Sequence, residues 1–440
     1  MVTNQARLKL YQKDVYFEKN LPSAVIQPNS ISELIAIVRE CFKSNLSVVI
    51  RGAGTSYTGG ATPSKDSIVI LTTKLNKVYE INIEEEYAIV EPGMVNAELN
   101  NILEKYGYHF CPDPISRAVC TVGGNVSQNA GGPNCLYYGV TYDHILGMEV
   151  ILTNGEIIKV GNIPGSDTNM NLKSLFIGSE GTLGVITKIW VKIVKISTYK
   201  QGIKLVCPTT EIATNIVNKL INEGIKPHIL EMLAAPALPG STNIVKDKEI
   251  YPTLLISFES ESEPELGKKI NRFKKVMALF PVEIIPFSDN LMEVRSRLLS
   301  SRLKLLRETI PLKSKQYLVD AVVPRSKLLN ILNHIEEIAL KYQVVILNTF
   351  HAGDGNIHPS ILYDDSLEER DYLKKITDEI LSYCVKLGGS IAAEHGIGLE
   401  KRRNLKLMYN ENEIRLLRKF KSIFDPNNLL NSDKIFDLEE

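Results

Sequence analysis

The stretch Arg51–Ala61 reads RGAGTSYTGGA and follows directly on the apolar run Leu46 to Ile50. The β-branched residues of that run predict a short strand, and the glycines after it predict a loop whose backbone N–H groups can wrap an anion. A Walker A loop would end in Gly-Lys-Ser/Thr, whereas this one ends in Gly59-Gly60-Ala61. A Gly-x-Gly-x-x-Gly fingerprint fails as well, because Tyr57 holds the place of the third glycine and a strand, Ser67 to Leu71, follows where a helix should. Alone, the loop is equally a phosphate cradle or a plain turn. Thr121–Pro133 (TVGGNVSQNAGGP) and Phe176–Thr187 (FIGSEGTLGVIT) repeat its mixture of glycine with short hydroxyl and amide side chains. Three such loops in the first part of the chain predict a long polar cofactor lying across several of them.

Length and composition narrow the classes further. At 440 residues the chain exceeds a single compact core and predicts two or three domains. Its 51 basic and 51 acidic residues balance, which argues against nucleic acid as a partner and against electrostatic docking on anionic lipid. No apolar run reaches the roughly 20 residues that cross a bilayer. The N-terminal MVTNQARLKLYQKDVYF carries no signal-peptide core, so the expected location is the cytoplasm, with room for peripheral contact with a membrane partner. The six cysteines (Cys41, Cys111, Cys120, Cys135, Cys207, Cys384) include no Cys-x-x-Cys pair. That argues against a zinc ribbon, an iron–sulfur cluster or a disulfide scaffold, so any electrons are carried by a bound cofactor. Ser30-Ile-Ser-Glu33 reads as a capping box before a helix over Ser32 to Lys43, with Ile31, Leu34, Val38 and Phe42 on one face. Tyr87 to Val90, Ile145 to Leu152 and Thr253 to Phe258 read as strands, and Glu265 to Leu279 and Lys327 to Lys341 as amphipathic helices.

RGAGTS followed by Gly59-Gly60, then Pro112-Asp113-Pro114 ahead of VGGNVSQNAGG, then YGVTYDHILGMEVIL and GSEGTLGVIT, resembles the FAD-binding half of the vanillyl-alcohol-oxidase superfamily. The resemblance implies an α+β fold. Residues 1–200 would form an FAD-binding domain of the PCMH type with two subdomains, and residues 201–410 a substrate-binding cap built on an antiparallel sheet with helices. Residues 411–440 would return to the FAD domain. It further implies that Arg51, Gly52, Ala53, Gly54, Thr55 and Ser56 face the FAD pyrophosphate. Pro114, Gly123, Gly124, Asn125, Ser127 and Asn129 would follow the flavin and ribityl chain, Glu180 and Ile186 would lie near the adenosine end, and Asn431 would contact the cofactor from the tail. Where the family usually has Asn-Pro-Gly, this chain has Asn431-Ser432-Asp433. The pyrophosphate loop holds no histidine, so the FAD is expected to be noncovalent. Tyr137-Tyr138-Gly139 and Asp143-His144 read as architecture.

FHAGDGNIHP (Phe350–Pro359) and AAEHGIGLEKR (Ala392–Arg402) narrow the likeness to the FAD-linked D-2-hydroxyacid dehydrogenases. That branch includes the glycolate oxidase flavoprotein subunit, D-lactate dehydrogenase and D-2-hydroxyglutarate dehydrogenase, and the likeness covers nearly the whole chain. The spacing of His351 and His358 suits neither a helix face nor a flat strand, but Gly353 and Gly355 let the chain fold back between them. With Glu394 they make a three-ligand metal site that leaves positions open for substrate. The resemblance assigns the same three residues to a divalent metal and His395 to the general base. Zinc suits these ligands best, with manganese, iron or cobalt as alternatives.

The implied reaction oxidises a small D-2-hydroxy acid to its 2-oxo acid. The metal polarises the hydroxyl, His395 takes its proton, and the C2 hydrogen leaves as hydride to flavin N5. Arg295, in LMEVRSRLL, matches the family's arginine for the substrate carboxylate, with Arg297 and Arg302 as alternatives, and Asn356 is a further contact to substrate or flavin. Leu318 stands where hydroxyglutarate-type relatives often carry lysine, which favours lactate or glycolate over a dicarboxylate. A separate electron acceptor (quinone, cytochrome or electron-transfer flavoprotein), a partner subunit and a homodimer all fit. The competing readings are D-2-hydroxyglutarate dehydrogenase, a sugar or aldonolactone oxidase, a noncatalytic flavin electron carrier and a metal-dependent hydrolase.

Overall fold

The structure, a computed structural model, describes residues 1–164, 170–239, 244–245, 248–308, 313, 315–364 and 366–436. The chain forms two compact units. The first comprises Met1–Gly132, Tyr138–Ile196 and Glu394–Glu440, the second Pro133–Tyr137 and Ser197–Ala393. The divisions expected after residues 200 and 410 therefore stand beside structural ones after 196 and 393, and a short segment, 133–137, belongs to the second unit.

In the first unit a parallel sheet runs in the order Ala24–Ile26, Ile68–Leu71, Val48–Arg51. The helix Ile31–Lys43 covers it, burying Leu34, Val38, Cys41 and Phe42 with Val48, Ile70 and Leu75. Each fully buried side chain of this kind contributes about 1.5–3 kcal/mol. Ser30 caps the helix by accepting the Glu33 N–H at 3.2 Å. The Glu33 carboxylate reaches back to the Asn29 N–H at 2.8 Å, one residue earlier than a capping box requires. An antiparallel sheet follows, in the order Val78–Asn82, Tyr87–Val90, Val185–Lys192, Ile145–Ile151, Ile157–Gly161.

TVGGNVSQ is a helix where composition suggested a loop. Val122–Gln128 is capped by Thr121, whose side chain accepts the Gly124 N–H at 3.2 Å, and it ends at Asn129 in the left-handed region. Gly123 is there for packing, since a Cβ would come within 2.6 Å of Pro92.

The second unit is built on a nine-stranded antiparallel sheet. Its main path runs Glu283–Phe287, Tyr199–Val206, Thr253–Ser260, Ile229–Leu233, Ile346–His351, Asn356–Ile357, Ala321–Val322, while Pro359–Tyr363 pairs with both Ile346–His351 and Lys315–Leu318. The helices of this unit include Thr210–Asn222, Glu263–Met277, Leu291–Arg307 and Leu328–Tyr342. Among the described residues no helix is long and apolar enough to cross a membrane.

Candidate active site

The glycine loop of the first unit is held from within. Arg51 is buried and donates from Nη1 to the Ala61 carbonyl at 2.9 Å, closing the loop like a drawstring. Ser56 Oγ accepts the N–H groups of Thr58 and Gly60 at 3.3 and 3.2 Å, and Asp14 accepts that of Ala61 at 3.1 Å. By contrast, the consecutive N–H groups of Gly52 to Tyr57 donate to no acceptor among the described residues. A run of backbone donors with no protein acceptor is what an anion such as a pyrophosphate completes. Gly52 must remain glycine, because a Cβ would lie 2.4 Å from Thr121 Oγ1.

Several residues expected at the cofactor use their polar atoms on the chain itself. Ser127 Oγ donates to the Gly123 carbonyl at 2.9 Å, and Asn129 Oδ1 accepts the Tyr142 N–H at 2.8 Å. Pro114 accepts the Arg117 N–H at 2.8 Å in a turn, whereas Asn125 is buried in its helix with its Nδ2 lacking a hydrogen-bond partner among the described residues. Ile186 lies in the core of the antiparallel sheet. Asn431 accepts the Ile50 N–H at 3.2 Å and donates to the Glu180 carbonyl at 2.6 Å, tying the tail to the strand that enters the glycine loop.

Glu180, with φ at +52°, links three segments. Its N–H donates to Ser127 O at 2.7 Å, and its carboxylate accepts the N–H groups of Ile397 at 2.6 Å and Gly398 at 2.9 Å. Burial pushes this carboxyl above its usual range, against the pull of those two N–H donors. His395 lies just before that anchored loop. Its carbonyl accepts the Thr58 hydroxyl at 3.0 Å, its ring stacks on Tyr57 with centroids 4.8 Å apart, and Glu394 Oε1 lies 3.5 Å from its Nε2. The Thr58 carbonyl in turn accepts the N–H groups of Leu399 and Glu400 at 2.8 and 3.1 Å. The glycine loop thus orients the imidazole that follows Glu394.

In the second unit the hairpin closes as its glycines require. His351 pairs with Asn356 across the turn, and Gly355 has φ +81° with the Val323 carbonyl 2.0 Å from where a Cβ would stand. The rings of His351 and His358 come together edge to face, 5.2 Å between centroids, and both side chains are buried. Asp320 Oδ1 lies 3.8 Å from His358 Nδ1, while Asp320 Oδ2 accepts the Ala393 N–H at 3.0 Å. Glu394 is the next residue in the chain. Glu231, fully buried, stands directly opposite His351 on the neighbouring strand and meets its Nδ1 in a short contact.

Of the three candidate arginines, Arg295 is buried with Nε 3.0 Å from Glu231 Oε2. Arg297 pairs with Asp289 at the surface. Arg302 donates to the carbonyls of Leu233, Ala234 and Tyr251 and to Thr253 Oγ1, and burial pulls its pKa down to about 10. That guanidinium is fully occupied in fastening its helix to the sheet. Asn356 is buried, and its Oδ1 has no hydrogen-bond partner among the described residues.

Residues 22–161 match the FAD binding domain family, and residues 198–435 match the family of FAD linked oxidases, C-terminal domain. The chain belongs to the FAD-linked oxidases. This oxidase is 33% identical to the glycolate oxidase subunit GlcD of Bacillus subtilis over 95% of the chain and 90% of that protein. It is 30% identical to a D-lactate dehydrogenase of Archaeoglobus fulgidus, over 93% and 90% of the two chains. Its fold is that of p-cresol methylhydroxylase, with a TM-score of 0.82 at 16% identity over 100% of this chain and 94% of that one. It is therefore an FAD-dependent oxidoreductase of the vanillyl-alcohol-oxidase fold. The donors of Gly52 to Tyr57 fit the pyrophosphate of its cofactor. Sequence reasoning missed Glu231 and Asp320 in this oxidase. Each is a single acid in an apolar run, ILEML and LVDAVV, and a lone charge inside a buried apolar run is the signal that would have found them.

Proposed function

We propose that this oxidase converts a small D-2-hydroxy acid, of the lactate or glycolate kind, to the corresponding 2-oxo acid. The reading is supported by the buried pair of imidazoles at the closed hairpin, 5.2 Å apart with Asp320 beside them, a donor set suited to a divalent cation. His351, His358 and Glu394 would hold that cation, with zinc as the best match. Bound there, the metal would supply Lewis acidity at the substrate hydroxyl, and a noncovalent FAD would supply the hydride acceptor.

The chain does the rest. His395, steadied by Tyr57 and Thr58, would take the hydroxyl proton as general base. Arg295, whose Nε faces Glu231, offers its Nη groups to the substrate carboxylate. Asn356 Oδ1, buried without a hydrogen-bond partner among the described residues, accepts from bound substrate. Leu318 leaves a second carboxylate without a counter-charge, which favours monocarboxylates. The reading implies a separate electron acceptor as the partner that would reoxidise the cofactor.

The test is anaerobic. Purified protein is mixed with D-lactate, L-lactate, glycolate or D-2-hydroxyglutarate, with and without prior chelation, and flavin absorbance is followed. Bleaching by D-lactate or glycolate that chelation abolishes, with the yellow colour retained, is expected. Full bleaching by metal-free protein overturns the metal's role, and a preference for the dicarboxylate overturns the substrate class.

A further inference from the structure

Glu231 is the least exposed carboxylate in the second unit's site, and the reaction as proposed gives it no step. It lies on Ile229–Leu233, a strand whose every residue is buried, and register sets its Cα directly across from that of His351. One oxygen meets His351 Nδ1, and the other lies 3.0 Å from Arg295 Nε. An ionised carboxylate accepts only, so Nδ1 of the neutral imidazole must carry the proton. Nε2 then bears the lone pair with which a histidine binds a metal. Carboxylate–imidazole pairs of this kind fix the ring's tautomer and angle and raise its basicity.

We infer that Glu231 is a positioning residue for metal binding: one oxygen holds His351 in the Nδ1–H tautomer with Nε2 as ligand, while Arg295 pairs with the other oxygen and fixes the carboxylate in place. The inference rests on the metal reading above and gives Arg295 an electrostatic duty toward the protein besides any toward substrate. Three of its parts are fixed by the fold. The strand register sets the partner, the closed turn at Gly355 sets the height of His351, and the helix Leu291–Arg307 delivers the cation. The expected loss of metal affinity on removing Glu231 is about 10–100-fold.

The experiment titrates Zn²⁺ and Mn²⁺ against a competing chelator in the full-length, FAD-loaded protein. Wild type is compared with Glu231→Gln and with Glu231→Gln/Arg295→Met, the second removing both buried charges so that neither is stranded. Nitrogen-15 shifts of labelled histidines report the His351 tautomer, which a merely structural change would leave alone. Expected are one tight equivalent in wild type, affinity reduced by about 10–100-fold in both variants, an unchanged flavin content, and loss of the single Nδ1–H signature. A wild type that binds no cation overturns the metal reading and this inference together. A wild type that binds one equivalent while folded variants bind within about twofold of it, or keep the same tautomer, overturns the inference alone.

Discussion

Lys421 offers a direct test of how the tail is anchored. It lies in the helix Glu411–Phe424 with only 2% of its surface exposed, and its Nζ donates to the carbonyls of Thr182 and Leu430 at 2.8 Å each while pairing with Asp425. Asp425 is 1% exposed and accepts the N–H groups of Leu429 and Leu430 at 3.0 and 2.8 Å. These bonds fix the segment that runs beside the strand Val48–Arg51, where Val48 donates to Leu429 O at 2.7 Å and Asn431 donates to Val48 O at 2.9 Å. Lys421→Met keeps the length of the side chain but leaves a buried carboxylate without its cation and two carbonyls without a donor. Breaking a buried pair from one side costs about 3–5 kcal/mol. For a unit of this size that corresponds to a fall in Tm of about 6–20 °C. Trp190 is the only tryptophan and lies 8% exposed in a core strand of the same unit, so its fluorescence reports this transition. Asp425→Leu added to Lys421→Met removes the stranded charge and recovers part of the loss. A single variant that melts within about 3 °C of wild type, a loss near 1 kcal/mol, would refute the claim that this pair fastens the tail.

Three further outcomes are expected. His395→Asn keeps FAD and metal while turnover falls about 100-fold or more; flavin absorbance, metal content and anaerobic bleaching measure it, and near-normal turnover removes His395 as the base. Gly355→Ala forces a side chain into a left-handed position against the Val323 carbonyl, 2.0 Å away; metal binding is lost while flavin content holds, and an alanine variant with a full metal equivalent would show that the turn does not set the histidine pair. Burial pushes the Cys207 thiol up to about 12, so at pH 8 this cysteine stays unmodified by a disulfide reagent until denaturant is added, as peptide mapping would show. Labelling of native Cys207 within minutes contradicts its full burial.

The parts of this protein that were legible in its sequence are those where one residue type is compelled by local geometry. Gly353 and Gly355 announced a chain reversal, Gly355 because only glycine tolerates its positive φ against the Val323 carbonyl and Gly353 because a Cβ would come within 2.4 Å of Leu136, and His351 and His358 then converge. The strands at 68–71, 87–90 and 145–151 were readable for a similar reason, since their β-branched runs have no other stable outcome. Where composition served two geometries, it misled. TVGGNVSQ has a loop's glycines, yet Thr121 caps a helix there and Gly123 is small because Pro92 presses on it.

Polar partners set by long-range register were beyond reach. Asn431 stood out in the sequence by its place in the tail motif, but nothing local says that its two amide atoms go to Ile50 and Glu180. Arg295 was read as a substrate cation on the strength of its motif, while from its helix its Nε meets Glu231 on a strand that no spacing rule connects to it. The same register places Glu231 opposite His351 across 120 positions of chain. Side chains that touch the reaction leave motifs because their neighbours in sequence are constrained with them. The side chains that aim those groups are chosen by the sheet, and only the folded sheet names them.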